Sequence, residues 1–228
     1  MNKNIFREYD IRGVYPKDLN EDVYFEIGNA IASKCNQLSI DSIVLGRDGR
    51  LSGKSLMNAL ENSLLSNGIN VENIGIVTSP LLYYAAKKHS SKSGIMVTGS
   101  HNPKEYNGIK MIINDEPVSG TEIFKLVGTP NNSNSKGTST INNDVIDNYI
   151  EEVKSKSIQS NHEIKVVIDC GNGAAGVIAP KLFKALGFNV VEIYSEVDGN
   201  FPNHHPDPGK PENLKDLSDK VLSEKANI

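Results

Sequence analysis

The residues best suited to chemistry in this sequence follow a short apolar run at residues 94–98. Such a run is typical of a buried strand, and it stops at a turn-forming string, residues 99–103 (GSHNP). Gly99 permits a sharp bend, and Pro103 keeps the residue before it out of the helical region, so we expect the loop to hold Ser100 outward. The pattern therefore predicts a serine nucleophile presented at a strand end.

Two neighbouring groups could assist this serine. His101 can carry a proton or donate a hydrogen bond, and the strand that returns after a turn at residues 106–108 has Lys110 as its one cation. A plainer interpretation is that the serine, asparagine and proline serve only as the turn formers of a hairpin. The residue types alone leave both interpretations open.

The longer strings around these residues resemble a known family. Residues 97–103 (VTGSHNP), followed by 106–110 (YNGIK), resemble the active-site serine loop of the phosphohexomutases, the family of phosphoglucomutase and phosphomannomutase. Residues 9–13 (YDIRG) resemble the N-terminal signature of the bacterial phosphomannomutase/phosphoglucomutase branch. Long strings mislead less often than short ones, so the resemblance, which covers essentially the whole chain, favours the nucleophile over the hairpin.

The resemblance implies a reaction in which a hexose 1-phosphate and a hexose 6-phosphate, of mannose or glucose, are interconverted through a phosphoserine at Ser100. Glucose or mannose 1,6-bisphosphate would be the intermediate and activator, and Mg²⁺ would bind the phosphate on Ser100. Lys110 is expected to act as general acid/base or as a cation for the transition state, with His101 and Arg12 assisting. Contacts to the substrate phosphates are expected from Tyr9, Arg12, Asn102 and Lys110.

A second charged segment, residues 46–52 (GRDGRLS), resembles the family's G-x-D-x-R-x-S element. Arg47, Asp48 and Arg50 are expected to support the serine loop from outside the reacting groups. Ser52 is predicted to cap the helix that follows. Plain surface ion pairing is the alternative for these arginines, as it is for Arg12 beside Asp10.

The elements that must position these groups alternate along the first part of the chain. Strands are predicted at residues 42–46, 73–77 and 94–98, and helices at 20–36, 52–66 and 79–89. This alternation, with short connections, predicts an α/β fold with a mostly parallel sheet and helices on both faces. Because Arg47 and Ser100 each follow a strand, we expect both at the same rim of the sheet.

The chain length of 228 residues suits one and a half to two domains. Residues 129–143 hold almost no apolar side chain, which predicts a mobile polar connector and a boundary near Asn143, between domains at 1–143 and 144–228. The second domain is predicted from a helix at 144–157, a loop at 159–162, strands at 164–169 and 188–193, and helices at 177–186 and 212–225. We expect two similar three-layer α/β/α domains with mixed, mostly parallel sheets, the second incomplete.

Residues 171–176 (GNGAAG) offer a rival function, because they form a G-x-G-x-x-G string after a strand, and Glu192 stands about twenty residues on, where a ribose-binding acid would be. The family has a similar glycine-rich turn here that binds no NAD, so a packing turn is favoured over a dinucleotide site. Residues 204–208 (HHPDP) could hold a metal, but adjacent histidines point apart, so a structural role is favoured there too.

Composition narrows the class of protein. Hydrophobic residues at 38%, charged residues at 23% and a net charge of −4 are typical of a soluble protein, with no basic surplus that would indicate a nucleic-acid partner. Cys35 and Cys170 have neither disulfide nor metal-ligand spacing. No apolar run is long enough to span a membrane and no signal segment begins the chain, so a cytoplasmic location is predicted.

One family element is not found in the sequence. The metal loop that the resemblance implies, an Asp-Gly-Asp-x-Asp-Arg string, does not occur, so we expect the chain to be the N-terminal half of a longer enzyme with little activity alone. The full-length form is expected to be a monomer or dimer acting on small hexose phosphates. An inactive fragment that binds a phosphosugar or a protein partner remains the alternative.

Overall fold

The computed structural model describes residues 1–129, 135–158 and 163–228. Within these ranges one larger sheet is built from β1 (Ile11–Val14), β2 (Ser42–Arg47), β3 (Asn70–Ile76), β4 (Gly94–Val97), β5 (Tyr106–Ile113), β6 (Glu116–Pro117) and β7 (Ser139–Ile141), and a smaller one from β8 (Lys165–Asp169) and β9 (Asn189–Ile193). The helices are α1 (Glu21–Gln37), α2 (Gly53–Ser66), α3 (Ser79–Lys88), α4 (Gly120–Phe124), α5 (Val145–Lys156), α6 (Ala179–Ala185) and α7 (Lys215–Glu224). Short 3₁₀ helices lie at Lys3–Ile5, Ala174–Val177 and Pro211–Leu214. The loop predicted at 159–162 lies outside the described residues.

The larger sheet has the strand order β1-β5-β4-β2-β3-β7, with β6 paired to the outer part of β5. Parallel pairing joins β4, β2, β3 and β7, whereas β5 is antiparallel to each of its neighbours. Among the described strands of this sheet, β5 alone therefore runs against the others. The predicted α/β class with a mixed, mostly parallel sheet is confirmed.

One face of the larger sheet packs against α1 and α2. Helix α1 begins where the Asn20 side chain accepts a hydrogen bond from the Val23 amide at 3.0 Å, as expected of an N-cap. Gly28 lets the two helices approach closely, since a Cβ there would lie 2.6 Å from the Ser63 Cβ. The apolar side chains buried beneath the helices include Ile27, Ile31, Ile43, Leu45, Leu56, Leu60, Ile95, Val97 and Ile109.

The opposite face of the sheet is covered by α3 and α5. Val44 and Met96 project from this face and pack with Leu82 of α3 and Ile150 of α5. The Tyr84 ring of α3 and the Tyr149 ring of α5 meet edge to face, with centroids 5.0 Å apart. Because α5 follows the boundary predicted at Asn143, the second part of the chain packs directly on the first, while the boundary itself stays a prediction.

The mobile connector predicted at residues 129–143 is wrong at 139–141, and its residues 130–134 lie outside the described ranges. Ser139–Ile141 forms β7, which pairs in parallel with β3 in the register Val71↔Ser139 and Asn73↔Ile141. All three side chains of β7 are exposed, so backbone hydrogen bonding holds this edge strand without apolar burial. Composition alone therefore could not reveal it.

Two further local predictions are corrected. Residues 106–108 form no turn but open β5, where Gly108 pairs with Arg12 of β1. Ser52 does not cap α2 through its side chain; instead its hydroxyl accepts a hydrogen bond from the Asn107 side-chain amide at 2.9 Å. Ser52 thus links the start of α2 to β5. None of the described helices combines the length and apolar character needed to cross a bilayer.

Candidate active site

Ser100 lies on the loop between β4 and β5, which we call the serine loop (residues 98–105). Its side chain is exposed, and its backbone adopts a left-handed conformation with φ of 54°. Its amide donates a hydrogen bond of 2.9 Å to the Thr98 hydroxyl. A left-handed φ is unfavourable for a serine, so the surrounding contacts must hold this conformation.

Arg50 supplies most of these contacts. Its side chain is only 1% exposed and its guanidinium donates hydrogen bonds to four backbone carbonyls of the loop and its exit. The acceptors are the carbonyl oxygens of Ser100 at 2.8 Å, Asn102 at 2.7 Å, Pro103 at 2.6 Å and Tyr106 at 3.0 Å. Gly99 lies so close that a Cβ there would be 2.1 Å from the Arg50 Cζ, which requires glycine. The arginine therefore fixes the course of the whole loop.

Asp48 holds the start of the same loop. One carboxylate oxygen accepts from the Thr98 hydroxyl at 2.7 Å, the Gly99 amide at 3.0 Å and the Arg50 Nε at 3.1 Å. The other accepts from the Arg50 amide at 3.1 Å. Burial lowers the pKa of the Arg50 guanidinium from its usual value, although the Asp48 charge opposes this change. Asp48 and Arg50 together form the framework of the serine loop.

Arg47 lies on the same segment but does not reach the serine loop. Its Nη1 donates to the Asp48 carbonyl at 2.9 Å, and none of its described hydrogen bonds involves residues 98–105. Burial lowers the pKa of this guanidinium as well. The expected support by three charged residues thus comes from two of them, with Arg47 attached only to the backbone of Asp48.

Arg12 is buried beside the serine loop, with a residue exposure of 2%. Its guanidinium donates to the Thr98 carbonyl at 2.5 Å and to the Asp10 carboxylate at 2.6 Å. The ion pair with Asp10 therefore exists, but inside the protein and not on its surface. Tyr9, by contrast, is 83% exposed. Contacts of Tyr9 and Arg12 with a phosphate stay predictions.

His101, Asn102 and Lys110 are the other expected site residues. The exposed His101 has its Nδ1 3.5 Å from the Ser100 hydroxyl oxygen, while the Asn102 side-chain amide donates to the Gly99 carbonyl at 2.9 Å and so helps to shape the loop. Lys110 lies opposite Met96 in the β4–β5 ladder, and residues directly opposite project from the same face. The described residues offer Lys110 neither a hydrogen bond nor an ion pair, so its ammonium group is free to act.

The described side chains do not by themselves form a metal site at Ser100. No group of three histidine, cysteine, aspartate or glutamate side chains with metal-binding geometry occurs in the described ranges. The carboxylate of Asp48 beside the loop already accepts hydrogen bonds on both oxygens. Asp48 therefore does not fit a magnesium ligand, and the Mg²⁺ expected on phospho-Ser100 stays a prediction.

Ser100 opens into a cavity of about 410 Å³ between the larger and the smaller sheet. Its lining from the first part of the chain includes Asp48, Val77, Thr78, Met96, Thr98 and Ser100. Its lining from the second part includes Asp169, Cys170, Gly171, Phe201, His204 and Leu217. Because Met96 lines this cavity, the face of the sheet that carries Lys110 is also the face that borders the cavity.

His204 faces Asp169 across the wall of this cavity. Its Nε2 lies 2.9 Å from the Asp169 carboxylate, whose other oxygen accepts from the Gly171 amide, and its Nδ1 lies 3.0 Å from the His205 carbonyl. Burial acts to lower the pKa of His204, but the His205 carbonyl and the Asp169 carboxylate outweigh it and raise that pKa. Both ring nitrogens of His204 face oxygen acceptors of the protein itself, which is consistent with a structural role for this side chain.

The glycine-rich turn at residues 171–176 is engaged by the protein itself. The amides of Gly171, Asn172 and Gly173 donate to the Asp169 carboxylate, the Tyr194 carbonyl and the Cys170 carbonyl. A Cβ on Gly176 would lie 1.9 Å from the Ser195 carbonyl oxygen, so this glycine is needed for packing. In addition, Glu192 forms an ion pair with Lys184 at 2.5 Å. The amides that would bind a pyrophosphate in a dinucleotide site are therefore already occupied.

We expect this turn to bind no dinucleotide. Titration with NADH, followed by the fluorescence of the nucleotide, should show no saturable change up to millimolar concentration, because binding would have to break the hydrogen bonds that three backbone amides already make. Gly173→Ala is the control variant. The fold should tolerate it, because the Cys170 carbonyl oxygen, 3.3 Å away, is the one atom near a Cβ at this position. Micromolar NADH binding that this substitution abolishes would establish the rival function.

Comparison with protein families identifies both parts of the chain. Residues 3–132 match the family model described as phosphoglucomutase/phosphomannomutase, alpha/beta/alpha domain I, and residues 147–228 match the corresponding model of domain II. A phosphomannomutase/phosphoglucomutase of Pseudomonas syringae is 47% identical over 227 residues, which are 98% of this chain and 48% of that protein. A phosphoglucomutase of Neisseria gonorrhoeae is 45% identical over 219 residues, covering 94% and 47%.

Solved structures agree with this relationship. The crystal structure of a phosphoglucomutase/phosphomannomutase family protein from Burkholderia thailandensis superposes with a TM-score of 0.92 at 40% sequence identity, over 99% of this chain and 51% of that one. The chain thus spans about half the length of the relatives that it matches.

Proposed function

The chain belongs to the phosphoglucomutase/phosphomannomutase family, and from this we propose that it carries a phosphoryl group on Ser100 in the interconversion of hexose 1-phosphates and hexose 6-phosphates. The observation that supports this function best is the conformation of the serine loop. An exposed hydroxyl at the end of a buried strand is held in a left-handed conformation by the buried Arg50 and the partly buried Asp48. Such rigid presentation is what a nucleophile in group transfer needs.

The proposed transfer step uses Ser100, its neighbour His101 on the serine loop, and Lys110 of β5. The Ser100 oxygen attacks a phosphorus atom of glucose or mannose 1,6-bisphosphate, an O–P bond forms on Ser100, and the bond to the sugar oxygen breaks. The serine proton passes to a nearby base, for which His101 at 3.5 Å and the unpaired Lys110 are the candidates, and a proton returns to the leaving sugar oxygen. Phospho-Ser100 then transfers its phosphoryl group to the free hydroxyl of a hexose monophosphate, which gives the 1,6-bisphosphate. The bisphosphate returns its other phosphoryl group to Ser100, and the isomeric monophosphate is released.

Charge neutralisation is the other requirement of phosphoryl transfer. The guanidinium groups of Arg12 and Arg50 lie beneath the loop, but both are engaged by protein acceptors. Arg50 contacts Ser100 only through its backbone carbonyl, so neither guanidinium is free to bind the phosphate. Lys110 has no partner among the described residues and is the cation that we propose for this role. The Mg²⁺ requirement, the choice between glucose and mannose, a cytoplasmic location and a monomeric or dimeric state belong to this proposal as predictions from the family.

Mapping of the phosphate tests the function directly. The protein is incubated with glucose 1,6-bisphosphate labelled with ³²P, and the labelled peptide is identified by mass spectrometry. We expect the phosphate to be on Ser100, and we expect no labelling of Ser100→Ala. Phosphate on another residue would contradict the assignment. Saturable binding of glucose 1-phosphate with no phosphate transferred to wild-type protein would instead favour the binding-module alternative.

A further inference from the structure

A turn of the second domain is seated on the segment that supports the serine loop. This turn, residues 197–201 (VDGNF), packs against the backbone of residues 49–51. A Cβ on Gly199 would lie 2.6 Å from the Leu51 amide nitrogen and 2.7 Å from the Gly49 carbonyl oxygen. A Cβ on Gly49 would in turn lie 2.2 Å from a methyl group of Val197. Glycine on each side of the contact therefore allows two backbones to touch where the domains meet.

The last residue of this turn covers Arg50. The centroid of the Phe201 ring lies 5.4 Å from the Arg50 Cζ, which is the geometry of a cation–π contact. The donors in the plane of the guanidinium are already directed at the four loop carbonyls and Asp48. The aromatic ring thus covers a charged group that is 1% exposed and helps to exclude water from it.

The turn is itself held firmly. The Asp198 amide donates to the Asn172 carbonyl at 3.0 Å, and the Phe201 amide donates to the Asp198 carbonyl at 3.0 Å. The Asn203 side chain donates to the Asn172 side-chain oxygen at 2.7 Å. Phe201 also has a left-handed backbone with φ of 51°, an uncommon conformation for an aromatic residue. The ring is therefore placed by a fixed turn and not by a free side chain.

We propose that Phe201 is a positioning residue that acts through Arg50: its ring keeps the guanidinium in place and dry, and the guanidinium in turn keeps Ser100 in its left-handed conformation. The effect on phosphoryl transfer rests on the function proposed above, but the effect on the loop does not. The contact also assigns a structural role to the glycine-rich turn, because Asn172 of that turn hydrogen-bonds to Asp198 and Asn203 on either side of Phe201.

The test compares Phe201→Leu with Phe201→Tyr and with a matched control, Phe188→Leu. Leucine keeps apolar volume but removes the ring face, tyrosine keeps the face, and Phe188 contacts Phe183 in the same domain without contacting Arg50. Amide hydrogen exchange of peptides from residues 97–108 reports the loop, and peptides from β8 report the fold of the second domain. We expect about threefold to tenfold faster exchange in the serine loop for Phe201→Leu alone.

Unchanged loop exchange in Phe201→Leu would overturn the proposal, and so would equally fast loop exchange in Phe188→Leu. Fast exchange that Phe201→Tyr shares with Phe201→Leu would also refute it, since the ring face is retained. The rate at which glucose 1,6-bisphosphate labels Ser100 is measured on the same proteins and should fall by a similar factor in Phe201→Leu. If wild-type protein takes no label while the exchange pattern holds, the proposed function fails and the positioning role stands.

Discussion

Replacement of Arg50 with methionine is expected to lower the free energy of unfolding by about 3–5 kcal/mol. The substitution leaves the Asp48 carboxylate without its partner and removes the donor from four loop carbonyls, within a site where the Arg50 side chain is 1% exposed. Removing one member of a buried ion pair is costly because the remaining charge stays desolvated. The left-handed Ser100 should lose its support at the same time.

Urea denaturation measures this loss, and Arg47→Met is the matched control. Arg47 lies three residues away and is half-buried, but it makes one described hydrogen bond, to the Asp48 carbonyl, so its replacement should cost no more than about 1 kcal/mol. The loss of unfolding free energy for Arg50→Lys should lie between the losses for Arg50→Met and Arg47→Met. An ammonium group keeps the charge, but it cannot donate to four carbonyls as the planar guanidinium does. A loss below about 1 kcal/mol for Arg50→Met would show that the Arg50 hydrogen bonds to the loop carbonyls do not stabilise the fold.

The sequence revealed the position of this loop but not what holds it. A short apolar run before a turn-forming string predicted a strand end at Ser100, and β4 does end at Val97. The hydrogen bonds of Arg50, however, go to backbone carbonyls about fifty residues further along the chain. A backbone carbonyl has no side-chain signature, so residues 46–52 indicated a supporting role only through the family resemblance.

The strands that the sequence did not reveal share one physical property. β1 contains a buried arginine and a glycine, and β7 has three exposed side chains, so neither shows the apolar alternation that predicts a strand. Both are held by pairing with a neighbour that is itself well packed, β5 in one case and β3 in the other. Likewise, no local pattern singles out Phe201, because its partner Arg50 belongs to the other domain. Long-range pairing decides such positions, and one sequence does not encode it locally.

Lys110→Met is expected to slow the labelling of Ser100 by glucose 1,6-bisphosphate on the order of a hundredfold, the usual scale for loss of a general acid/base or of one electrostatic group. The reason is that the two buried cations beside the loop are committed: Arg12 to Thr98 and Asp10, and Arg50 to the loop carbonyls. Within the described ranges, Lys110 has no such partner and projects from the sheet face that borders the cavity.

Single-turnover labelling measures this effect, with Lys104→Met as the matched control. Lys104 is an exposed lysine of the serine loop itself, so its replacement tests whether any positive charge near Ser100 speeds the labelling. We expect Lys104→Met to be labelled at a rate within about threefold of wild type. Lys110→Arg separates two roles, since arginine keeps the positive charge but stays protonated: recovery of the rate indicates charge stabilisation, and continued slowness indicates proton transfer.

Because Lys110 has no described partner, stability should change by less than about 1 kcal/mol, so slow labelling cannot be ascribed to unfolding. Equal rates for Lys110→Met and wild type would instead assign the proton to His101, whose Nδ1 lies 3.5 Å from the serine oxygen.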